Sequence, residues 1–320
     1  MNLDLQERCR STYIGGSEVA AVLGVDGAFD TPFAVWARRQ PEFEEDLVHM
    51  TPAMEAGHRF EEAVMDWSGA VLGATEMIRG EPFGGKVVVG PEAFTACHPD
   101  GYMKLGDEWY VYEGKLSQGR AHEYSDSGSM PDSYLVQWIW EQLCTKMPGA
   151  FGAQISLREP PWTRIMGRDE GLEEILVSKV GDWWHKHIEL GEAPPVDGST
   201  AASSWVKKRY RSHSDIVRHP AAPEAELIAE LDRVKSAMSK LKKKSSELEN
   251  KLKDCIGVDE GIFVGGGPQF VSWRSQKGPS RLNTKRLKAD RPDIYKAFVE
   301  ASTNRRVLRA HPAWGKLTGG

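Results

Sequence analysis

Cysteine is scarce in this chain of 320 residues: Cys9, Cys97, Cys144 and Cys255 stand far apart and never form a CxxC pair. That spacing argues against a zinc or iron–sulfur site and leads us to expect reduced thiols in a cytoplasmic protein. No apolar run reaches the roughly 18 residues that span a bilayer, so no membrane partner is expected. The opening residues, MNLDLQERCRSTY, hold no apolar signal stretch. No G-x-x-x-x-G-K-[ST] loop occurs, so no nucleotide cofactor is expected. The run Gly265-Gly266-Gly267 lacks the flanking Lys-Ser/Thr and reads as a turn. A nucleophile elbow for Ser-His-Asp chemistry is missing. So are internal repeats and long low-complexity segments.

Charge is scarce only in sum. The net value is −5, which alone argues against a polyanionic partner. From Trp205 to Gly320, however, 25 Lys+Arg face 13 Asp+Glu, whereas the preceding residues hold 16 against 33. An acidic front carries a basic tail. Such a tail suits phosphate neutralisation, or is simply a solvated lysine-rich helix face, and composition does not choose between the two.

The segment GEAPPVDGSTAASS ends at Ser204 and is rich in Pro, Gly, Ser and Ala. It marks an expected linker over 192–204, between a domain of 1–191 and an extension of 205–320. The front domain alternates helical and strand-like patterns, an α/β (α+β) class. Ser17 is placed at the N-cap of a helix running to Gly24, and Asp30-Thr31-Pro32 opens another through Arg39. A longer helix is predicted over Pro52–Gly73. Strands are predicted over Lys86–Val89, Ala93–His98, Trp109–Leu116, Phe151–Arg158 and Trp162–Gly167. Helices are predicted over Tyr134–Lys146 and Glu170–Leu190. In the extension, Pro223–Cys255 reads as one long helix with an apolar stripe near heptad spacing, suited to packing on another helix of this chain or of a neighbouring subunit. A strand-like Gln269–Trp273 and a basic helical tail from Thr284 follow.

Two short signals carry chemistry. His98-Pro99-Asp100-Gly101 ends one predicted strand, and Glu113-Gly114-Lys115 lies inside the next. The twelve residues between Asp100 and Glu113 leave room for a hairpin turning around Leu105-Gly106-Asp107. A hairpin brings both carboxylates to one sheet edge. Hard carboxylate oxygens suit Mg²⁺, which polarises a phosphoryl oxygen and activates water. Alternation puts Glu113 and Lys115 on one face, where Lys115 can orient water or stabilise developing charge. The Gly114 carbonyl, between them, is a candidate third ligand. Alone, D-x(12)-E-x-K is a pattern many unrelated hairpins share.

In order along the chain, these pieces resemble the YqaJ-type viral recombinase family, which includes lambda exonuclease, in the PD-(D/E)xK nuclease superfamily. The resemblance spans roughly Arg10–Gln142. It rests on Arg10 and Ser17 within the stretch up to YIGGSEVAAVLG, then Gly57-His58-Arg59-Phe60-Glu61, Pro99-Asp100-Gly101, Glu113-Gly114-Lys115 and Tyr134-Leu135-Val136-Gln137. It implies a restriction-endonuclease-like core, a central mixed sheet flanked by helices. It implies catalytic roles for Glu61, Asp100, Glu113, Lys115 and Gln137, and two Mg²⁺ ions (Mn²⁺ substituting) held by Asp100, Glu113 and the Gly114 carbonyl. It implies 5′-phosphate or DNA binding by Arg10, Ser17 and Tyr134, and matches Met54 to a position of an apolar wedge; an ordinary helix methionine is the competing reading. The implied activity is 5′→3′ degradation of one strand at double-stranded DNA ends. The implied partners are a single-strand annealing protein and further copies of the chain in a ring, such as a trimer. The chain departs from the family at Gly114, where a hydrophobic residue is common, at Ile139, where a second Gln is common, and in the basic extension.

His98 shares a strand face with Asp100 but offers nitrogen, which Mg²⁺ disfavours. Trp138, Trp140, Trp183 and Trp184 read as core or interface aromatics. The cationic residues Lys240, Lys242, Lys243, Lys244, Arg305, Arg306 and Arg309 suit either DNA contact or docking of another subunit or partner. An endonuclease of the same superfamily and a catalytically quiet DNA-binding scaffold stand as alternatives to the exonuclease.

Overall fold

The run Trp109-Tyr110-Val111-Tyr112 is rich in β-forming aromatic and β-branched residues, and the strand it seeds organises the molecule. A computed structural model describes residues 5–6, 8–41, 52–79, 87–116, 130–154, 159–212, 217–263, 270–278, 280–299 and 307–308. In chain order the first elements are β1 (Leu5–Gln6), α1 (Gly16–Val22), α2 (Pro32–Ala37), α3 (Pro52–Leu72), β2 (Glu76–Arg79), β3 (Val87–Val89), β4 (Ala96–Cys97), β5 (Gly101–Leu105) and β6 (Glu108–Leu116). There follow α4 (Asp132–Thr145), β7 (Gly149–Gln154), β8 (Trp162–Met166), α5 (Glu170–Trp184) and α6 (Thr200–Arg209). The central sheet has the order β2-β5-β6-β7-β8, antiparallel except for the parallel pair β6–β7. That parallel pair requires a crossover, which α4 provides. A small sheet, β1-β3-β4, lies apart. The mixed sheet flanked by helices is the expected class.

Two corrections matter for the site. The strand leading into the hairpin is β5, beginning just after Asp100, not Ala93–His98. Of that stretch only Ala96–Cys97 is strand, and it belongs to the small sheet. Pro99 has no N–H to continue a ladder, so the chain leaves one sheet at Pro99 and joins the next at Gly101. Asp100 is the junction. The turn falls where expected, with Gly106 at φ +63°.

Helices cover both faces of the sheet. Tyr112 donates to Ser68 of α3 at 3.1 Å. Its strand neighbour Glu113 faces α4, where Gln137 meets it. In β7, Gly152 lies against Ser68 and the Tyr112 hydroxyl so closely that any Cβ would collide with both. Trp138 and Trp140 are fully buried. The Trp140 indole donates to the carbonyls of Ile14 (3.1 Å) and Ala96 (3.2 Å), tying α4 to the loop before α1 and to β4.

Further differences lie downstream. The helix predicted to reach Leu190 ends as α at Trp184 and continues as a π turn over His185–Glu189. The expected linker runs into α6: Ser199 caps it by accepting from the Ala202 N–H at 3.0 Å, and Ala201 and Ala202 are buried. Trp205 packs edge-on against Phe33 and Trp36. Small residues that resemble linker composition here permit close helix packing. The first compact unit thus runs through Tyr210 and the second begins at Arg211. The second holds α7 (Ala222–Ile256), the hairpin β9 (Gly261–Phe263) with β10 (Phe270–Ser272), α8 (Thr284–Asp290) and α9 (Pro292–Ala297). Gly265–Gly267, Arg305, Arg306 and Arg309 lie outside the described residues. Cys97 and Cys144 are buried thiols and Cys9 and Cys255 exposed ones, none of them in a disulfide. No described helix is long and apolar enough to cross a membrane.

Candidate active site

β6 projects Glu113 and Lys115 from one face, as alternation requires. The Lys115 ammonium is ion-paired with Glu113 Oε1. Gln137, on α4, donates to the same oxygen at 2.6 Å. Glu113 is 1% exposed, and its second oxygen, Oε2, is buried with no hydrogen-bond partner among the described residues. β5 begins at Gly101, so among the described residues the edge of β6 beyond Tyr112 has no strand to pair with there. Asp100 occupies that edge: its Oδ2 accepts the Gly114 N–H at 2.8 Å. The N–H and C=O of one strand residue leave by the same edge, so the Gly114 carbonyl also opens toward Asp100. A Cβ at residue 114 would press on the Tyr112 ring at 3.1 Å. This crowding explains glycine where a hydrophobic residue is common.

The electrostatics are those of an overcrowded anionic pocket. Burial, then the neighbouring Glu113 carboxylate, push Asp100 up to about 7. Burial alone would lower Lys115, but Glu113 and Asp100 outweigh it and hold the ammonium above its ordinary range. The Lys115 Nζ also sits 5.5 Å from the centre of the Tyr134 ring. Tyr134 is buried, stacked on Phe29 and leaning on Phe151. Glu61, half-exposed on α3, is raised by burial and then by Asp100, while His58, 3.0 Å away, works against the shift.

Sequence reasoning passed over Glu141. It is fully buried one turn after Gln137, accepts from Gln137 at 3.1 Å, and its Oε2 has no hydrogen-bond partner among the described residues. Burial, then Glu113 and Asp100, hold it well above the carboxylate range. Only its place on the Tyr134–Gln137 face signalled it.

Arg10 and Ser17 come together. The Arg10 guanidinium donates to Ser17 Oγ at 3.2 Å and lies over the Tyr13 ring. Ser17 is not the N-cap, however. Gly15 is, and its N–H donates to Glu18 at 3.2 Å. Relieved of capping, the exposed Ser17 hydroxyl faces Arg10. Glu18, which sequence reading passed over, is the buried hub: Arg39 binds it at 2.8 Å, with Arg38 at 3.5 Å and Arg10 at 3.7 Å. Burial opposes its charge, but Arg39, then Arg10 and Arg38, keep it ionised. This pocket adjoins the carboxylates, since the space beside Gly16 is filled by Glu141 and Gln137. His98 meets the Tyr13 hydroxyl at 3.1 Å through Nε2. Met54 is exposed on the first turn of α3.

Among the described residues no three His, Cys, Asp or Glu side chains converge tightly enough to hold a metal by themselves. The donor set is instead two adjacent carboxylates, with the buried, unpartnered Oε2 of Glu113, beside a strand carbonyl. Those hard oxygens fit a Mg²⁺ ion.

No family model matches the chain. Over 305 residues it is 26% identical to YqaJ, an uncharacterized protein of Bacillus subtilis (strain 168), covering 92% of this chain and 89% of that one. YqaJ is thus a relative of this chain along nearly its whole length. The similarity covers more than the first unit and so reaches into the basic second one. Among solved structures, an alkaline exonuclease (LHK-Exo) from Laribacter hongkongensis is 17% identical, covering 63% of this chain and 95% of that chain with a TM-score of 0.46. A phage-related exonuclease from Haemophilus somnus 129PT is 13% identical, covering 56% of this chain and 96% of that chain with a TM-score of 0.38.

Proposed function

We propose that this chain is a Mg²⁺-dependent exonuclease that degrades one strand of linear duplex DNA 5′→3′, leaving a 3′ single strand for an annealing protein. One observation carries the reading: Asp100 and Glu113 are crowded at a single sheet edge, with Lys115 and Gln137 engaged on Glu113. Two adjacent buried carboxylates need a proton or a cation between them. Asp100, Glu113 and the Gly114 carbonyl would hold Mg²⁺, which supplies Lewis-acid polarisation of the scissile phosphate and a more acidic water. Lys115, held by Glu113 and the Tyr134 ring, orients a nucleophilic water and offsets negative charge on the phosphate. Gln137 fixes Glu113, leaving Oε2 available. Glu61, with its raised pKa, accepts or returns a proton at the rim.

Direction of attack rests on Arg10 and Ser17. A guanidinium braced by Glu18, and the exposed hydroxyl it meets, suit a terminal 5′-phosphate next to the carboxylates. An endonuclease has no use for a terminal-phosphate pocket. The reading includes self-assembly of the chain around DNA and a cytoplasmic setting.

The test uses three substrates with Mg²⁺: linear duplex with a 5′-phosphate, linear duplex without it, and a closed circle. The expected result is rapid loss of the first, slower loss of the second and sparing of the third. Arg10→Ala should erase most of the difference between the first two. Rapid cutting of the circle would establish an endonuclease, and no Mg²⁺-dependent loss of any substrate would leave a DNA-binding scaffold.

A further inference from the structure

The helix α7 carries an apolar seam that the described residues of its own unit leave exposed. From Leu227 to Cys255 the spacing runs 4-3-4-3 without a break, with Leu231, Met238, Ser245 and Leu252 at the a positions and the intervening members at d. Leu227 is 71% exposed and Leu241 70%. The seam is about 42 Å long. It begins at Leu227 because Glu224, one turn earlier, is held by Arg218. A seam of this length and regularity requires a second helix of matching pattern.

We propose that α7 pairs with the α7 of a second copy of this chain, parallel and in register, as a coiled coil. Charge decides the partner and the direction. In a parallel pair each g residue faces the e residue five positions on in its partner. Here Glu230 meets Lys235 and Lys244 meets Glu249, each twice by symmetry, while Ala237–Lys242 and Lys251–Ile256 are neutral. An antiparallel pair aligned on the same seam sets Lys235 against Lys242, twice, and keeps only the Glu230–Lys251 attraction. The competing partners within one helix, such as Arg233 for Glu230 and Lys253 for Glu249, are exposed pairs that rearrange at little cost. Ser245, hydrogen-bonded to Glu249 at 3.1 Å, is the polar a residue that penalises a slipped register.

Register makes a sharp geometric demand. Cys255, an exposed free thiol at a d position, lies against Cys255 of the second copy only in the parallel in-register pair. In the antiparallel pair it faces Glu224, and the two thiols are about 45 Å apart. The experiment is mild oxidation of the full-length chain carrying Cys9→Ser, which removes the other exposed thiol, read on non-reducing gels alongside light scattering. The expected result is a disulfide-linked species of twice the chain mass as the main product, lost in Cys255→Ser. It should fall at least tenfold in the double variant Leu241→Glu, Leu248→Glu, with the far-ultraviolet spectrum of the first unit's fold retained. A self-associated protein in which Cys255 stays reduced overturns the parallel register. A monomer, or cross-linking indifferent to Leu241→Glu, Leu248→Glu, overturns the coiled coil.

Discussion

Asp100 carries more of the account than any other single residue. Its folded pKa is raised to about 7 by burial and by Glu113, so the metal-free fold holds a proton there more tightly than the unfolded chain does. Stability from that site is full below about pH 4, where both states are protonated, and is lost as pH rises through about 7. Metal-free protein should therefore melt at falling temperature between pH 5 and pH 8, with a loss of at most about 4 kcal/mol from this group. Mg²⁺ should raise the melting temperature more at pH 8 than at pH 5, because binding must displace the proton. Asp100→Asn should flatten both dependences, as thermal denaturation with and without Mg²⁺ would read. A metal-free melting temperature indifferent to pH over this range, in wild type and variant alike, would show that the carboxylates are not crowded. Glu18 offers the opposite case: a buried carboxylate kept ionised by Arg39, which braces Arg10 and does not itself reach the surface.

Elements place these residues by close approach. Gly152 in β7 lets α3 settle onto the sheet through Ser68 and Tyr112, and Tyr112 lies over Gly114. Gly152→Val should overpack this layer, destabilising the first unit by about 1–3 kcal/mol and tilting β6, so that activity falls before folding is lost. Denaturant titration together with a cleavage assay checks the order of the two losses. The strand β6 was legible in the sequence because Trp109-Tyr110-Val111-Tyr112 is an unbroken run of aromatic and β-branched residues, and the hairpin turn was legible from Gly106-Asp107. β2, Glu76-Met77-Ile78-Arg79, was not, because its charged ends and methionine give no strand signal; pairing with β5 makes it a strand. The segment at α6 misled because Ala and Ser suit both a linker and a tightly packed helix. Ser17 misled because Ser is a good cap, yet here Gly15 takes that position and frees the hydroxyl. Glu141 was hidden, since a glutamate on a helix is ordinarily solvated and only the fold reveals its burial.

At the scale of the whole molecule, an acidic first unit holds the candidate chemistry and a basic second unit holds a long apolar seam. The uneven charge was readable from the sequence; the boundary at Tyr210 was not, because Trp205 looks like part of the basic tail until Phe33 and Trp36 are seen around it. The relationship to YqaJ spans both units, so the second unit is part of what the two chains share. In the function proposed above, Asp100, Glu113 and Lys115 form a metal-dependent phosphodiester hydrolysis centre working from a DNA end. Its most direct measurement is release of labelled nucleotide from a 5′-phosphorylated linear duplex labelled at its 5′ ends. Release should be rapid with Mg²⁺, absent in chelator, and at least about 10³-fold slower in Asp100→Asn, equivalent to about 4 kcal/mol of transition-state stabilisation. Undiminished release by Asp100→Asn, or release that ignores the chelator, would contradict it.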